Sequence, residues 1–204
     1  VSVLMDACLR FGVNRFHQVS TDEVYGDLPL ESTSAFTEES ALHPSSPYAA
    51  SKASADLLVL SYARTYGLPV TISRCSNNYG RFQHREKLIP KVIDCAHRGV
   101  SIPVYGRGDN QRDWIHVDDH CTAIDYILHK GKENHIYNVS AHEEINNLEL
   151  IRKILAILGK SDDLITFVND RPGHDRRYAM DTSRLEKLGW KAKRNLDDYL
   201  NTLK

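Results

Sequence analysis

Tyr48 and Lys52 stand four residues apart, a spacing that puts both side chains on one face of a helix. An ammonium beside a phenol favours the phenolate, so such a pair can take a proton well below the usual tyrosine pKa of about 10. The same spacing recurs at Tyr126 and Lys130, and only context separates the two. Tyr48 follows Pro44-Ser45-Ser46-Pro47 and comes after a strand that ends in hydroxyls; Tyr126 falls late in its helical stretch with no such partner.

That strand ends in Ser20-Thr21-Asp22-Glu23. A polar turn would read the same way. The chemical alternative is a hydroxyl beside two carboxyl groups that resist ionising together, one held as an acid and the other free as a base. Asn77-Asn78-Tyr79-Gly80 ends the next strand, where amides can donate and accept, although turn chemistry explains them equally. Beyond Gly80, Arg81, Arg85, Lys87, Tyr105, Arg107, Arg112, Arg171, His174, Arg176 and Arg177 recur. Arginine forks suit a diphosphate and an aromatic ring suits a base; for several of these residues a solvated surface is the simpler reading. Metal chemistry is not expected. His116-Val117-Asp118-Asp119-His120 reads as a strand running into an Asp-capped helix, and His142-Glu143-Glu144 lacks a second histidine at zincin spacing.

The elements that must position these groups alternate. A helix is expected over residues 1–11, closed by Gly12, then a strand over 15–20 and a polar loop over 27–47. The clearest helix covers 48–66 and is closed by Gly67 and Pro69; a buried strand over 70–73 follows, with polar residues from 74 to 80 at its end. Helix and strand joined by short connections argue for an α/β domain with a parallel sheet, whose ligands sit at the carboxyl ends of strands. The later pattern is less regular. Helices are expected over 88–98, from Asp118 or Asp119 to 128, over 147–158 and near 196–203, with extended pieces at 102–105, 114–117, 136–139 and 164–168 and a turn at Asp170-Arg171-Pro172-Gly173.

Composition bounds the function class. With 26 basic against 27 acidic side chains the chain has no bulk pull toward nucleic acid or anionic membrane. No apolar run approaches the roughly 20 residues of a membrane span, and Asp6 interrupts the start, so a cytoplasmic protein is expected. Cys8, Cys75, Cys95 and Cys121 are too scattered for a disulfide framework and read as reduced thiols. No glycine-rich phosphate loop is present, since Gly106-x-Gly108 is followed by Gln111 where a third glycine belongs. A Tyr/Lys redox pair without that loop is expected to belong to a chain lacking its N-terminal part.

Together, Ser20-Thr21-Asp22-Glu23-Val24-Tyr25-Gly26, Pro44 to Lys52, Cys75-Ser76-Asn77-Asn78-Tyr79-Gly80, Glu86-Lys87-Leu88-Ile89-Pro90, Arg112-Asp113-Trp114 and Asp170-Arg171-Pro172-Gly173-His174-Asp175-Arg176-Arg177-Tyr178 resemble the extended short-chain dehydrogenase/reductase superfamily, and within it the dTDP-glucose 4,6-dehydratases. Arg81 and Arg85 depart from the pattern, standing where prolines are usual. The resemblance implies an α/β fold: the C-terminal portion of a Rossmann-like doubly wound parallel sheet plus a smaller mixed α/β substrate domain. Residues 1–80 would be the remainder of the NAD-binding domain and 81–204 mainly the nucleotide-sugar region, with about 114–139 returning to the first sheet.

The resemblance also implies NAD as cofactor, a nucleotide-sugar substrate and a homodimer of the full-length enzyme, built on the helices at 1–11 and 48–66. The catalytic set would be Thr21, Asp22, Glu23, Tyr48 and Lys52. Ser20, Tyr48, Lys52, Cys75 and Asn78 would hold the cofactor. The nucleotide-sugar would be met by Thr21, Asn77, Lys87, Leu88, Ile89, Pro90, Lys91, Val92, Pro103, Val104, Tyr105, Arg112, Asn147, Asp170, Arg171, Pro172, Gly173 and His174. The implied reaction oxidises the sugar at C4, eliminates water across C5 and C6 and returns hydride to C6. A related epimerase or decarboxylase, a UDP-glucose dehydratase and a non-catalytic remnant are the alternatives. By itself this chain is expected to be inactive.

Overall fold

The computed structural model describes residues 1–203; Lys204, the last residue of the region expected at 81–204, lies outside the described residues. Strands β1 (Phe16–Thr21), β2 (Val70–Cys75) and β6 (His135–Val139) form a parallel sheet in the order β1-β2-β6. Every residue of β2 is buried, as expected of a central parallel strand covered on both faces. Val70 and Ile72 pack with Met5, Val59 and Ala63 from helices α1 (Ser2–Phe11) and α2 (Pro47–Tyr66). On the opposite face, Cys75, Tyr137 and Val139 pack with Ala123 and Ile127 of α4 (Val117–Lys130) and with Leu185 of α6 (Ser183–Leu188). Helices on both faces of a parallel sheet make this half of the chain doubly wound.

Local chemistry explains the decisive helix. Ser46 is its N-cap, its Oγ accepting from Ala49 N (3.1 Å), Pro47 takes the first helical position, and Gly67 ends it at φ +69°. The rotation of α2 on the sheet is fixed by a buried ion pair. Arg74 Nε of β2 donates to Asp56 Oδ2 (3.0 Å), and the Arg74 guanidinium lies 4.8 Å from the centroid of Tyr25.

The second half is mixed. Strand β5 (Gln111–His116) runs parallel to β3 (Asn77–Tyr79) and antiparallel to β7 (Glu144–Asn146), while β4 (Ile102–Tyr105) pairs in parallel with β8 (Ile165–Val168). Helices α3 (Leu88–Arg98), α5 (Asn147–Ile157) and α7 (Leu196–Asn201) share one core with these strands, including Ile89, Val92, Val104, Trp114, Ile151 and Leu200. Of the stretch 114–139 expected to return to the first sheet, β6 pairs there and α4 packs on its face, whereas β5 belongs to the mixed sheet.

Helix α4 is not capped by Asp118 or Asp119 as the sequence suggested. The cap is His116, whose Nδ1 accepts from Asp118 N (3.1 Å). Asp119 instead accepts from the backbone N–H groups of Lys193 and Arg194 (2.8 Å each) and from the Arg194 guanidinium (2.9 Å). Of the long segment 27–47, residues 27–46 contain no named helix or strand, Pro47 opening α2, and the segment is tied to residues 175–181. Asp27 Oδ1 accepts from Arg177 N (3.0 Å), Phe36 N donates to Ala179 O (2.7 Å), and Asp181 N donates to Phe36 O (2.8 Å).

Candidate active site

Thr21 ends β1, and its extended backbone turns directly into a single 3₁₀ turn at Asp22–Tyr25, with Thr21 Oγ1 accepting from Glu23 N (3.3 Å). This places Asp22 and Glu23 at the carboxyl end of a parallel strand. Asp22 is 2% exposed; its Oδ1 accepts from the Thr21 hydroxyl (3.0 Å) and its Oδ2 is buried with no hydrogen-bond partner among the described residues. Burial, then the neighbouring Glu23 carboxylate, pushes the Asp22 carboxyl up to about 7. Glu23 is less deeply placed. Burial raises it too, but the positive charges of Arg112, Arg171 and Lys87 oppose that rise, with Asp175 adding to it. Asp22 thus has no counter-charge in direct contact among the described residues, whereas Glu23 stands among Arg112, Arg171 and Lys87, which favour its charged form.

Tyr48 sits in the first turn of α2, 54% exposed, close enough to Glu23 and Asp22 that both carboxylates, after burial, hold its phenol above the ordinary tyrosine range. Lys52 lies one turn on. Its Nζ donates to Val19 O of β1 (2.7 Å), and no hydrogen bond joins it to the Tyr48 hydroxyl among the described residues. Two of the three ammonium donors remain for a ligand.

The residues expected at the cofactor divide by burial. Ser20 and Cys75 are buried at the ends of β1 and β2. Asn78 is turned inward: its Nδ2 donates to Ser76 O (3.1 Å) and its Oδ1 accepts from His120 Nδ1 (2.8 Å). Burial lowers His120 to about 4, so the imidazole that holds Asn78 is neutral. Asn77 is half-buried on the neighbouring strand β3.

Among residues expected at the nucleotide-sugar, Lys87 is the exposed residue before α3, Leu88, Pro90 and Lys91 are half-buried in its first turns, and Ile89 and Val92 face the core. Val104 is also core, Pro103 is half-buried and Tyr105 is exposed, its ring edge-on to that of His174 at 6.5 Å. His174 Nδ1 bonds to Asp170 Oδ1 (2.7 Å), and Arg171 and Pro172 are exposed on the same loop. Gly106, at φ +56°, lets that loop approach, because a β-carbon there would stand 2.9 Å from Asp170 Oδ2. Asn147 opens α5, its backbone N–H donating to Asn110 O (3.0 Å). Arg112 lies among the acidic groups of the site, but its fork is directed at backbone: Nη2 donates to Asp175 O (2.7 Å) and Nη1 to Gln111 O (2.7 Å).

Three residues that sequence reasoning left out also shape the site. Ser45 and Tyr178 both donate to Asp175, and His120 orients Asn78. Each lies within a stretch already singled out, but only their distances across the fold reveal what they do.

The model of the GDP-mannose 4,6 dehydratase family matches residues 1–203. The chain belongs to that family. Within it, the similarity to the Low-salt glycan biosynthesis protein Agl12 of Haloferax volcanii is 48% identity over 97% of this chain and 63% of the relative. The dTDP-glucose 4,6-dehydratase of Haemophilus influenzae is 50% identical over 86% of this chain and 55% of its own length. The crystal structure of DesIV, a dTDP-glucose 4,6-dehydratase from Streptomyces venezuelae solved with NAD bound, superposes with a TM-score of 0.95 at 43% identity, covering 98% of this chain and 62% of that one. The chain thus spans 55–63% of the length of these relatives. The resemblance to the dTDP-glucose 4,6-dehydratases is borne out, and so is the Rossmann-like α/β fold that it implied.

Proposed function

We propose that the full-length protein is an NAD-dependent dTDP-glucose 4,6-dehydratase, converting dTDP-glucose to dTDP-4-keto-6-deoxyglucose and water. The observation that carries this reading is the unequal carboxyl pair. Asp22 is buried with its carboxyl raised to about 7 and Oδ2 unpartnered among the described residues, so it carries a proton in much of the population near neutral pH, and it stands beside Glu23 and close to Tyr48. A site that only oxidised and reduced C4, as in an epimerase, would have no use for an acid and a base held side by side.

The donor set fits NAD. The free Tyr48 hydroxyl and the two remaining Lys52 donors lie at the carboxyl ends of β1 and β2, where they can meet the hydroxyls of a ribose. When bound, NAD would supply a hydride acceptor and donor and a positive charge beside the phenol. Tyr48 takes the proton of the sugar 4-hydroxyl, and its raised pKa explains why it needs positive charge nearby to do so. Glu23 then removes the C5 proton, made acidic by the new ketone, while Asp22 Oδ2 protonates the departing 6-hydroxyl. Thr21 is assigned to the C4 oxygen, and its hydroxyl donates to Asp22 Oδ1. Asp170 to His174, Arg112, Asn147 and the start of α3 are assigned to the nucleotide and its phosphates, with Ser20, Cys75 and Asn78 toward the cofactor.

The dTDP preference is supported by the relatives' activity, since a single thymine methyl discriminates by only about 1–3 kcal/mol. The assignment includes a cytoplasmic enzyme of deoxysugar supply, such as dTDP-rhamnose formation; no helix among the described residues is long and apolar enough to cross a membrane. It also includes a homodimer. Val3 and Phe11 of α1 are 78% and 74% exposed, and Leu4, Leu57, Leu58 and Tyr66 are exposed on α1 and α2, an apolar face that a second copy would cover.

The test is product analysis of the full-length protein with dTDP-glucose and NAD. The 4-keto-6-deoxy sugar should form without added reductant, Tyr48→Phe should block C4 oxidation, and C4 epimerisation alone would refute the assignment.

A further inference from the structure

Residues 170–178 and residues 44–48 are joined. Ser45 Oγ donates to Asp175 Oδ2 (2.6 Å), and the Tyr178 hydroxyl donates to the same oxygen. Gly173, at φ +65°, lies so close beneath Ser45 that a β-carbon on it would stand 3.1 Å from the Ser45 carbonyl oxygen. From below, Arg112 Nη2 and Asn110 Nδ2 donate to the Asp175 carbonyl (2.7 and 3.1 Å), and the Arg112 guanidinium lies 4.6 Å from the centroid of the Tyr178 ring. Asp175, Tyr178, Asn110 and Arg112 are all buried. The Asp175 end of this contact is therefore rigid.

The Ser45 end is less well held. Ser45 precedes the N-cap Ser46, and Tyr48 lies in the first turn of α2, where backbone N–H groups have no helical partner and helices fray. The Tyr48 ring is half in solvent, and no hydrogen bond holds its hydroxyl among the described residues. Within the turn, the Ser46 cap and the Ser51 hydroxyl, which donates to Tyr48 O (2.7 Å), are local ties, whereas the contact of Ser45 with Asp175 joins the start of the turn to a distant part of the chain.

We propose that Asp175 is a positioning residue whose carboxylate latches the loop at 170–174 to the segment leading into Tyr48, so that a nucleoside diphosphate filling the loop also fixes the tyrosine that oxidises the sugar. The proposal rests on the reading above for what the loop holds and what Tyr48 does. Its mechanism is conformational. Asp175 is the fixed anchor: ordering residues 170–174 by a ligand holds Gly173 against the Ser45 carbonyl, and Ser45, tied to Asp175, transmits that restriction to the first turn of α2. Occupancy of the nucleotide site thereby prepares the redox site. Asp175 also faces Glu23 alongside Arg112, Arg171 and Lys87, so replacing it would alter the charge on the base as well as the latch. Ser45 is neutral, and removing its hydroxyl isolates the latch.

Hydrogen–deuterium exchange on the full-length protein, with and without saturating dTDP, reads the coupling at the amides of Tyr48 to Ala50. In the wild type dTDP should slow exchange there about ten-fold; Ser45→Ala should abolish the slowing and Ser45→Thr, which keeps the hydroxyl, should retain it. In turnover, Ser45→Ala should lower kcat about ten-fold, the lower range for losing a hydrogen bond to a charged acceptor, while the Kd for dTDP stays within about two-fold. A Ser45→Ala protein that keeps the dTDP-induced protection overturns the latch, as does a wild type in which dTDP leaves this turn unchanged. Failure to make the 4-keto-6-deoxy sugar, with the coupled protection present, refutes the dehydratase reading and leaves the latch standing.

Discussion

Replacing Asp22 by asparagine should disable the protein while its stability relative to the wild type rises with pH. In the folded chain the Asp22 carboxyl titrates near 7, against 3.8 for an unhindered aspartate, so the unfolded chain releases this proton at lower pH than the folded one. Stability from Asp22 is thus fully present below the unfolded pKa and is lost as pH rises through the folded one. At about 1.36 kcal/mol per pKa unit, the wild type forfeits about 2 kcal/mol by pH 5 and about 4 kcal/mol by pH 8, relative to acid solution. Asparagine mimics the protonated side chain. It leaves two unpaired N–H groups where the protonated acid leaves one O–H, an offset that does not change with pH. Asp22→Asn should therefore gain on the wild type by about 2–3 kcal/mol between pH 5 and pH 8 in urea denaturation. In the full-length enzyme the same change should slow water loss more than C4 oxidation. A stability difference that is flat across this pH range would show that Asp22 is ionised in the folded state and would remove the acid from the mechanism.

Two further outcomes follow from contacts away from the carboxyl pair. Asp56→Ala should cost about 3–5 kcal/mol in urea denaturation because it strands the Arg74 guanidinium, itself 2% exposed, without its counter-charge; a loss under about 1 kcal/mol would mean that water reaches Arg74. Joint replacement of Leu4 and Leu57 by glutamate should convert the proposed full-length dimer to monomer in sedimentation with secondary structure retained, and an unchanged dimer would place the interface elsewhere.

Much of this site was legible because its signals are local. Ser46, Pro47 and Gly67 announce α2 by capping chemistry, and the hydroxyl and carboxyl run after β1 falls where parallel sheets put ligands. The three-residue strands β3 and β7 were missed, since so short a run contains no usable period. The His116 cap was missed because aspartate is the usual helix opener; Asp119 is engaged by Arg194, 75 positions away, which no local rule can see. Distance along the chain also hid the contact of Ser45 with Asp175, 130 positions apart. Lys52 was read from its spacing as the tyrosine's ally, but spacing fixes only the helix face, and Val19 on another element takes its ammonium.

The stretch from 27 to 46 shows what regular structure is not required for. Asn138, on β6, accepts from the Tyr25 hydroxyl (2.7 Å), donates to the carbonyls of Phe36 and Asp181 (3.1 and 3.2 Å), and through its backbone N–H meets Glu38 (3.0 Å). One amide thus gathers three distant parts of the chain, and the irregular stretch has its backbone groups answered much as a strand would. Such a segment resists insertion and shortening alike: changing its length by a residue would pull several of these bonds out of step at once, which is the behaviour of a frame and not of a tether.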